Sequence, residues 1–421
     1  MAVIASAGTP RRGTHPARIP RPVLPLPSAP HPASDRRLSL PRIGPETSTT
    51  PPSGPEAGTL LLHQPAGPFF ALAALFAVAL PWPWLLHWPD AAVLHVRLGI
   101  FGMAGAAVAG YLLTARRAWT GGGLSVPVSW LAAVWLAGRI ATLAFPDRPE
   151  LAPVSALVVG AVLLAPVLAA RAWGRLPVAL FLLLMGPAEA AFIAGRLPPA
   201  SLATLLALLL ALVGGRAVPA FLAAEATRRG WPVRPPAWPA LIGPVAIALA
   251  HLPPLRVVML LAAGLWCLAR LRHRHAGRLL AEAALSAPAM LVWGWGLLAA
   301  GLAATALGWP SPVAGLHLLT LGAAGGMIFA ISARAGMRRV PGRGLVARRR
   351  QSLGFVLLLA AAGLRLAAEF FPGALMLSGL CWSAAWLCHL AAHLPALFRP
   401  APRPMLSAPF FLEEAGATPG P

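Results

Sequence analysis

The sequence predicts an all-α fold: a polytopic membrane bundle of about twelve transmembrane helices with both termini cytoplasmic. Three observations carry this reading. Of the 421 residues, 58% are hydrophobic and only 11% are charged, whereas an ordinary soluble domain uses roughly 25% charged residues to cover its surface. Apolar runs recur along the chain, each long enough, or nearly so, to cross ~30 Å of hydrocarbon as a helix rising ~1.5 Å per residue. The arginines between those runs are distributed unequally between alternate loops.

Taken in order, residues 1–60 come first and differ from the rest. They hold 13 of the 47 prolines and seven arginines, with many Ser and Thr. Such a stretch buries too little apolar surface to offset its chain entropy, so a disordered arm is expected. It lacks the continuous apolar core of a secretory signal. The membrane domain, 61–400, then holds twelve apolar segments, at about 69–86, 92–114, 127–144, 152–170, 177–195, 199–224, 237–252, 254–270, 279–307, 313–333, 352–371 and 372–396. The joins at 252–254 and 371–372 are tight, as in helical hairpins. Within the sixth segment, Gly214-Gly215-Arg216 with Pro219 predicts a break or kink. Residues 401–421 form a short cytoplasmic tail.

The arginines test the segment count. With the N-terminus inside, 27 of the 34 fall on the inner side, three (Arg148, Arg196, Arg256) on the outer side, and four (Arg97, Arg139, Arg216, Arg365) within segments. Cytoplasmic loops collect Arg and Lys, so the alternation supports twelve crossings. Trp82, Trp84, Trp88 and Trp309 then lie at the outer interface and Trp119, Trp173 and Trp231 at the inner one, where amphipathic rings are favoured. The net charge of +22 therefore belongs to loops. Without a basic patch interleaved with aromatics, it does not imply nucleic acid. Cys267, Cys381 and Cys388 all sit in apolar runs and supply no disulfide framework or C-x-x-C pair.

Charges and imidazoles inside a bilayer need a partner or a wet cavity. His87, His95, Arg97, Arg139, Glu189, His251, His317, Arg365 and Glu369 fall in the outer half; Arg216, Glu225, Glu282, His389 and His393 fall in the inner half. Arg365 and Glu369, four apart, share a helix face and can pair. His389 and His393 share a face in the same way and are expected at the cytoplasmic interface; His273 and His275 are expected in solvent. His95 and His317 have similar surroundings. Each follows a leucine and precedes glycines and a methionine: Gly99, Gly102 and Met103 in one case, Gly322, Gly326 and Met327 in the other. Small residues there allow close approach of a flat ring or of a second helix.

Over residues 63–400 the sequence resembles the NnrS family of bacterial twelve-span membrane proteins. The resemblance lies in Gly67-Pro68-Phe69-Phe70, in the stretch from His95 through Gly110-Tyr111-Leu112-Leu113-Thr114-Ala115 to Trp119-Thr120-Gly121, in Trp135-Leu136-Ala137-Gly138-Arg139, in Gly214 through Phe221, and in His317-Leu318-Leu319-Thr320-Leu321-Gly322. Two departures stand out. The family's His-x-His-Glu-Met is here His95-Val96-Arg97-Leu98-Gly99, and its Gly-His-Thr-Gly after the tenth span is here Arg338-Arg339-Val340-Pro341.

The resemblance implies heme and copper binding, a role in nitric oxide metabolism or tolerance, and residence in the bacterial inner membrane. His95 and His317 are then the candidate axial ligands of a heme, and Arg97 or Arg365 the candidate anchors of its propionates. The two absent histidines count against copper. A small-molecule transporter without metal is the alternative, suited by the intramembrane Arg/Glu residues and a broken helix. A respiratory oxidase-type subunit is disfavoured, because such proteins resemble families with an adjacent His-His pair and this chain has none.

Overall fold

The computed structural model describes residues 60–233, 238–272, 275–281, 285–340 and 344–401. The N-terminal arm, His273, Glu282 and the tail after Ala401 lie outside them. The described chain is almost wholly helical. α1 is Ala66–Ala79, followed by a single turn, Trp82–Leu85. α2 runs over Ala91–Thr120, α3 over Val128–Ala144, α4 over Ala152–Ala169, α5 over Leu176–Ile193 and α6 over Pro199–Arg228. After the short α7, Ile242–Leu249, come α8 (Arg256–Leu271), α9 (Ala287–Leu307), α10 (Pro312–Gly336), α11 (Arg349–Ala367) and α12 (Gly373–Leu397). A two-stranded antiparallel hairpin, Arg338–Val340 with Gly344–Val346, joins α10 to α11.

Among the described residues, ten helices are long and apolar enough to cross a membrane, and α3, with 17 residues, falls just short. Each of the twelve expected segments contains a helix, but α7 has only eight residues. At ~1.5 Å per residue it rises ~12 Å, too little to cross alone. Prolines explain the shortfall. The apolar run contains Pro239 before the helix and is closed by Pro253 and Pro254, and proline interrupts helical hydrogen bonding. The ninth segment likewise begins later than expected, because Ser286 caps α9 by accepting from the Ala289 N–H.

α6 does not break. It continues as one helix of 30 residues through Pro219. A proline lacks the N–H that would bond the carbonyl four residues back, which is Gly215. Arg270 of α8 fills that position: its Nε donates to Gly215 O at 3.1 Å, and its Nη2 donates there too. α12 repeats the device at lower strength. Pro395 frees the Ala391 carbonyl, which accepts from Arg350 Nη1 at 3.3 Å. Close packing elsewhere depends on small residues. A Cβ on Gly301 of α9 would stand 2.9 Å from the Leu319 nitrogen of α10, so the two backbones meet only because it is absent.

α2 and α10 share an internal change of helix type. In each, a short α-helical entry (Ala91–Val96 or Pro312–His317) gives way to eight residues of π-helix, Arg97–Ala104 in α2 and Leu318–Gly325 in α10. α-Helix resumes at Gly105 and Gly326. Each π stretch contains two glycines: Gly99 and Gly102 in the first, Gly322 and Gly325 in the second. π-Helical insertions are uncommon and gather at functional sites. α1 packs against the first stretch and α9 against the second.

Candidate functional site

The two histidines that precede the π stretches face one another. The ring centres of His95 and His317 are 6.0 Å apart, with the ring planes inclined at 42°. His95 Nδ1 lies 3.1 Å from Leu80 O, and His317 Nδ1 lies 2.9 Å from Val313 O. A carbonyl oxygen can only accept, so each Nδ1 is the protonated nitrogen and donates. Each neutral ring therefore keeps its Nε2 lone pair unused. This is the arrangement of a metal-ligating imidazole, whose other nitrogen is fixed by a backbone carbonyl.

Both rings line one cavity of about 770 Å³. Its walls are mostly apolar, with Trp84, Met103, Leu206 and Trp382 among them, and its polar groups include Thr320, Ser378, Arg365 and Glu369. Gly325 sets one wall: a Cβ there would stand 2.7 Å from the indole of Trp382, so a larger residue would displace the ring. Trp382 is held from behind, donating from Nε1 to Ala77 O at 2.7 Å. Size and polarity match those of small-molecule and cofactor pockets, which are largely apolar with a few placed polar groups.

The arginines expected beside the histidines part company. Arg365 lines the cavity and pairs with Glu369 at 2.9 Å, as their spacing predicts, with side chains 13% and 21% exposed. Arg97 does not reach the cavity. It is buried on the far side of α2, where its Nε meets Glu189 Oε1 of α5 at 3.3 Å. Two residues of helix carry a side chain about 200° around the axis, which turns Arg97 away from His95. Arg139 of α3 pairs with the other oxygen of Glu189 and donates from Nη2 to Ala152 O at 3.1 Å.

His389 and His393 depart from the expected interfacial placement. They are 0% and 1% exposed, enclosed where α12 packs against α1, α10 and α11. Their rings stack with centres 5.2 Å apart, and His389 also abuts Phe329 and Trp386. His393 Nε2 donates to Gly67 O at 2.9 Å, while neither ring nitrogen of His389 has a hydrogen-bond partner among the described residues. His275, expected in solvent, is partly covered: its ring lies 4.9 Å from that of Trp231.

The pair His95/His317 suits a heme. Metal–imidazole bonds of about 2 Å on each side, with ~1.1 Å from ring nitrogen to ring centre, set two axial histidines ~6 Å apart across one ion. A porphyrin carries its own four equatorial ligands, so the protein need supply only these two. Among the described residues, no group of three or more His, Cys, Asp or Glu could hold a metal ion.

Long apolar helices around a histidine-lined cavity define a multi-pass membrane protein. The family model described as NnrS protein matches residues 61–401, and the chain belongs to the NnrS family. No curated protein matches it.

Proposed function

We propose that this chain binds one b-type heme in the outer half of the bundle, between α2 and α10, and acts in nitric oxide metabolism or tolerance in the bacterial inner membrane. One observation carries the heme: two imidazoles from distant helices, ring centres 6.0 Å apart, each with Nδ1 donating to a carbonyl and Nε2 left for a ligand, on a cavity of about 770 Å³. The nitric oxide role rests on the resemblance of the chain to the NnrS family.

In this reading His95 and His317 are the side chains that would hold the heme iron. Arg365, at the cavity wall, offers a guanidinium to a propionate by a charge-assisted hydrogen bond. The apolar wall of Trp84, Met103, Leu206 and Trp382 excludes water and keeps the local dielectric low, which is one of the levers that sets a heme potential. When bound, heme would supply one-electron redox chemistry. The transporter alternative loses one of its supports, since α6 is continuous where a broken helix was expected.

The purified protein tests this directly. A b-type heme gives a Soret band at one heme per chain, and a metal-free transporter gives none. Preparations that stay colourless after growth with excess heme would overturn the proposal.

A further inference from the structure

Away from the cavity, α2, α3 and α5 bury an ionic cluster with unequal charges. Arg97, Arg139 and Glu189 are 3%, 3% and 1% exposed. Both guanidiniums end on the one carboxylate. Arginine keeps its proton in proteins, so the three groups sum to one positive charge in excess. An uncompensated charge within a membrane bundle is costly.

The hydrogen-bond inventory is unequal in the same sense. Arg139 donates from Nη2 to Ala152 O and Ser155 Oγ, at 3.1 and 3.3 Å, and Arg97 donates from Nε to Glu189. Arg97 Nη2, Arg139 Nε and the indole Nε1 of Trp135 are buried with no hydrogen-bond partner among the described residues. The Trp135 ring lies under the Arg139 guanidinium, 5.4 Å from its Cζ. Every unpaired polar atom of these three side chains is an N–H donor, and the cluster lacks one negative charge. An acceptor that carries that charge answers both deficits.

We infer that Arg97, Arg139 and Trp135 form a binding site for a small monovalent inorganic anion of halide size. The excess of one charge sets the valence. Occlusion of the donors sets the size, because a bound anion must shed its water, and a large or divalent oxyanion would pay far more to do so. Glu189 holds the two guanidiniums together while leaving Arg97 Nη2 and Arg139 Nε unused. The site shares no residue with the cavity of His95 and His317.

The test uses the full-length protein purified in detergent and exchanged into sodium gluconate. Chloride, bromide or nitrate, added at constant ionic strength, should raise the unfolding temperature in a saturable way by about 2–4 °C, while sulfate should not. Arg97→Gln removes the excess charge and should abolish the rise. Glu189→Gln leaves two positive charges and should lower the half-saturating bromide concentration at least tenfold. Trp135→Phe removes one donor at little cost in packing and should raise it severalfold. Anomalous scattering from bromide-soaked crystals should place one ion among the three side chains. A response to nitrate but to neither halide would overturn the assignment of halide size. Equal unfolding temperatures in gluconate and bromide, or an unchanged bromide response in Arg97→Gln or Trp135→Phe, would overturn the site.

Discussion

Arg270 and Gly215 are joined across two helices for a reason written in a third residue: Pro219 leaves the Gly215 carbonyl without its helical N–H, and Arg270 donates to it from Nε at 3.1 Å. Arg270→Ala should therefore strand a buried acceptor and cost about 1–3 kcal/mol. Pro219→Ala returns the N–H, so the same arginine substitution in that background should cost markedly less. Unfolding midpoints of the wild type, both single variants and the double variant form the cycle. Additive effects would show that Arg270 stabilises the protein in some other way.

Heme ligation by His95 and His317 predicts that His95→Ala or His317→Ala abolishes or shifts the Soret band. His389→Ala and His393→Ala should leave its position unchanged, since those rings are buried in a separate cluster with Phe329 and Trp386. Full retention of heme in the His95/His317 double variant would refute the ligand assignment.

His389 buries two ring nitrogens with no partner among the described residues, which is costly in an apolar interior. Replacing it with an apolar ring removes the polar atoms along with their unmet hydrogen bonds. His389→Phe should match or exceed the wild type in thermal stability, by up to about 1 kcal/mol. A loss greater than ~2 kcal/mol would show that the imidazole has a partner that matters.

In the turn between α11 and α12, the Ser311 hydroxyl and the paired Arg365 hold the Glu369 carboxyl below the ordinary value of 4.5. A carboxyl depressed by folding adds stability above its unfolded pKa and loses it as pH falls through the lower folded value. The tie across the cavity rim should be complete at pH 7 and weaken below about pH 4.5. In stability scans from pH 7 to 3, Glu369→Gln should trail the wild type at neutral pH by a small, salt-sensitive margin that closes in acid. A constant margin would rule out the ionised carboxylate as its source.

The arginine asymmetry predicts residues 338–350 and the Arg116–Arg117 turn on the cytoplasmic side and the Trp309 turn outside, which requires the short α7 and the chain flanking it to cross together. Reporter fusions at these positions should follow that order. A 338–350 loop found outside would overturn the orientation.

How much of this was legible in the sequence depends on whether a feature is local. Apolar runs gave the helices, and the i,i+4 spacing gave Arg365 with Glu369, because both are properties of one segment. The similar surroundings of His95 and His317 singled out two residues that the fold brings to the wall of one cavity, although only the fold shows the rings side by side. The union of Arg97, Arg139 and Glu189 was hidden, since each comes from a different helix and nothing local dictates which faces meet. The depth of His389 and His393 was misjudged for a related reason. Position along α12 gives distance from its end, but burial depends on α1, α10 and α11 closing around it. Gly214-Gly215-Arg216 with Pro219 predicted a break or kink in α6; the helix does not break, and an arginine from another helix supplies the missing donor.

The π stretches of α2 and α10 act as phase shifters. Their wider turns offset the rotational register of everything before them from everything after, so the aim of His95 depends on residue count as much as on residue type. If 97–104 wound as plain α-helix with all eight residues kept, each step would turn about 100° instead of the smaller π step, and the excess summed over the stretch would swing His95 away from His317. The helix would keep its residues and its hydropathy, yet the imidazole would no longer face His317. A change of winding here is thus a route by which related chains could gain or lose the facing pair without altering the bundle that surrounds it.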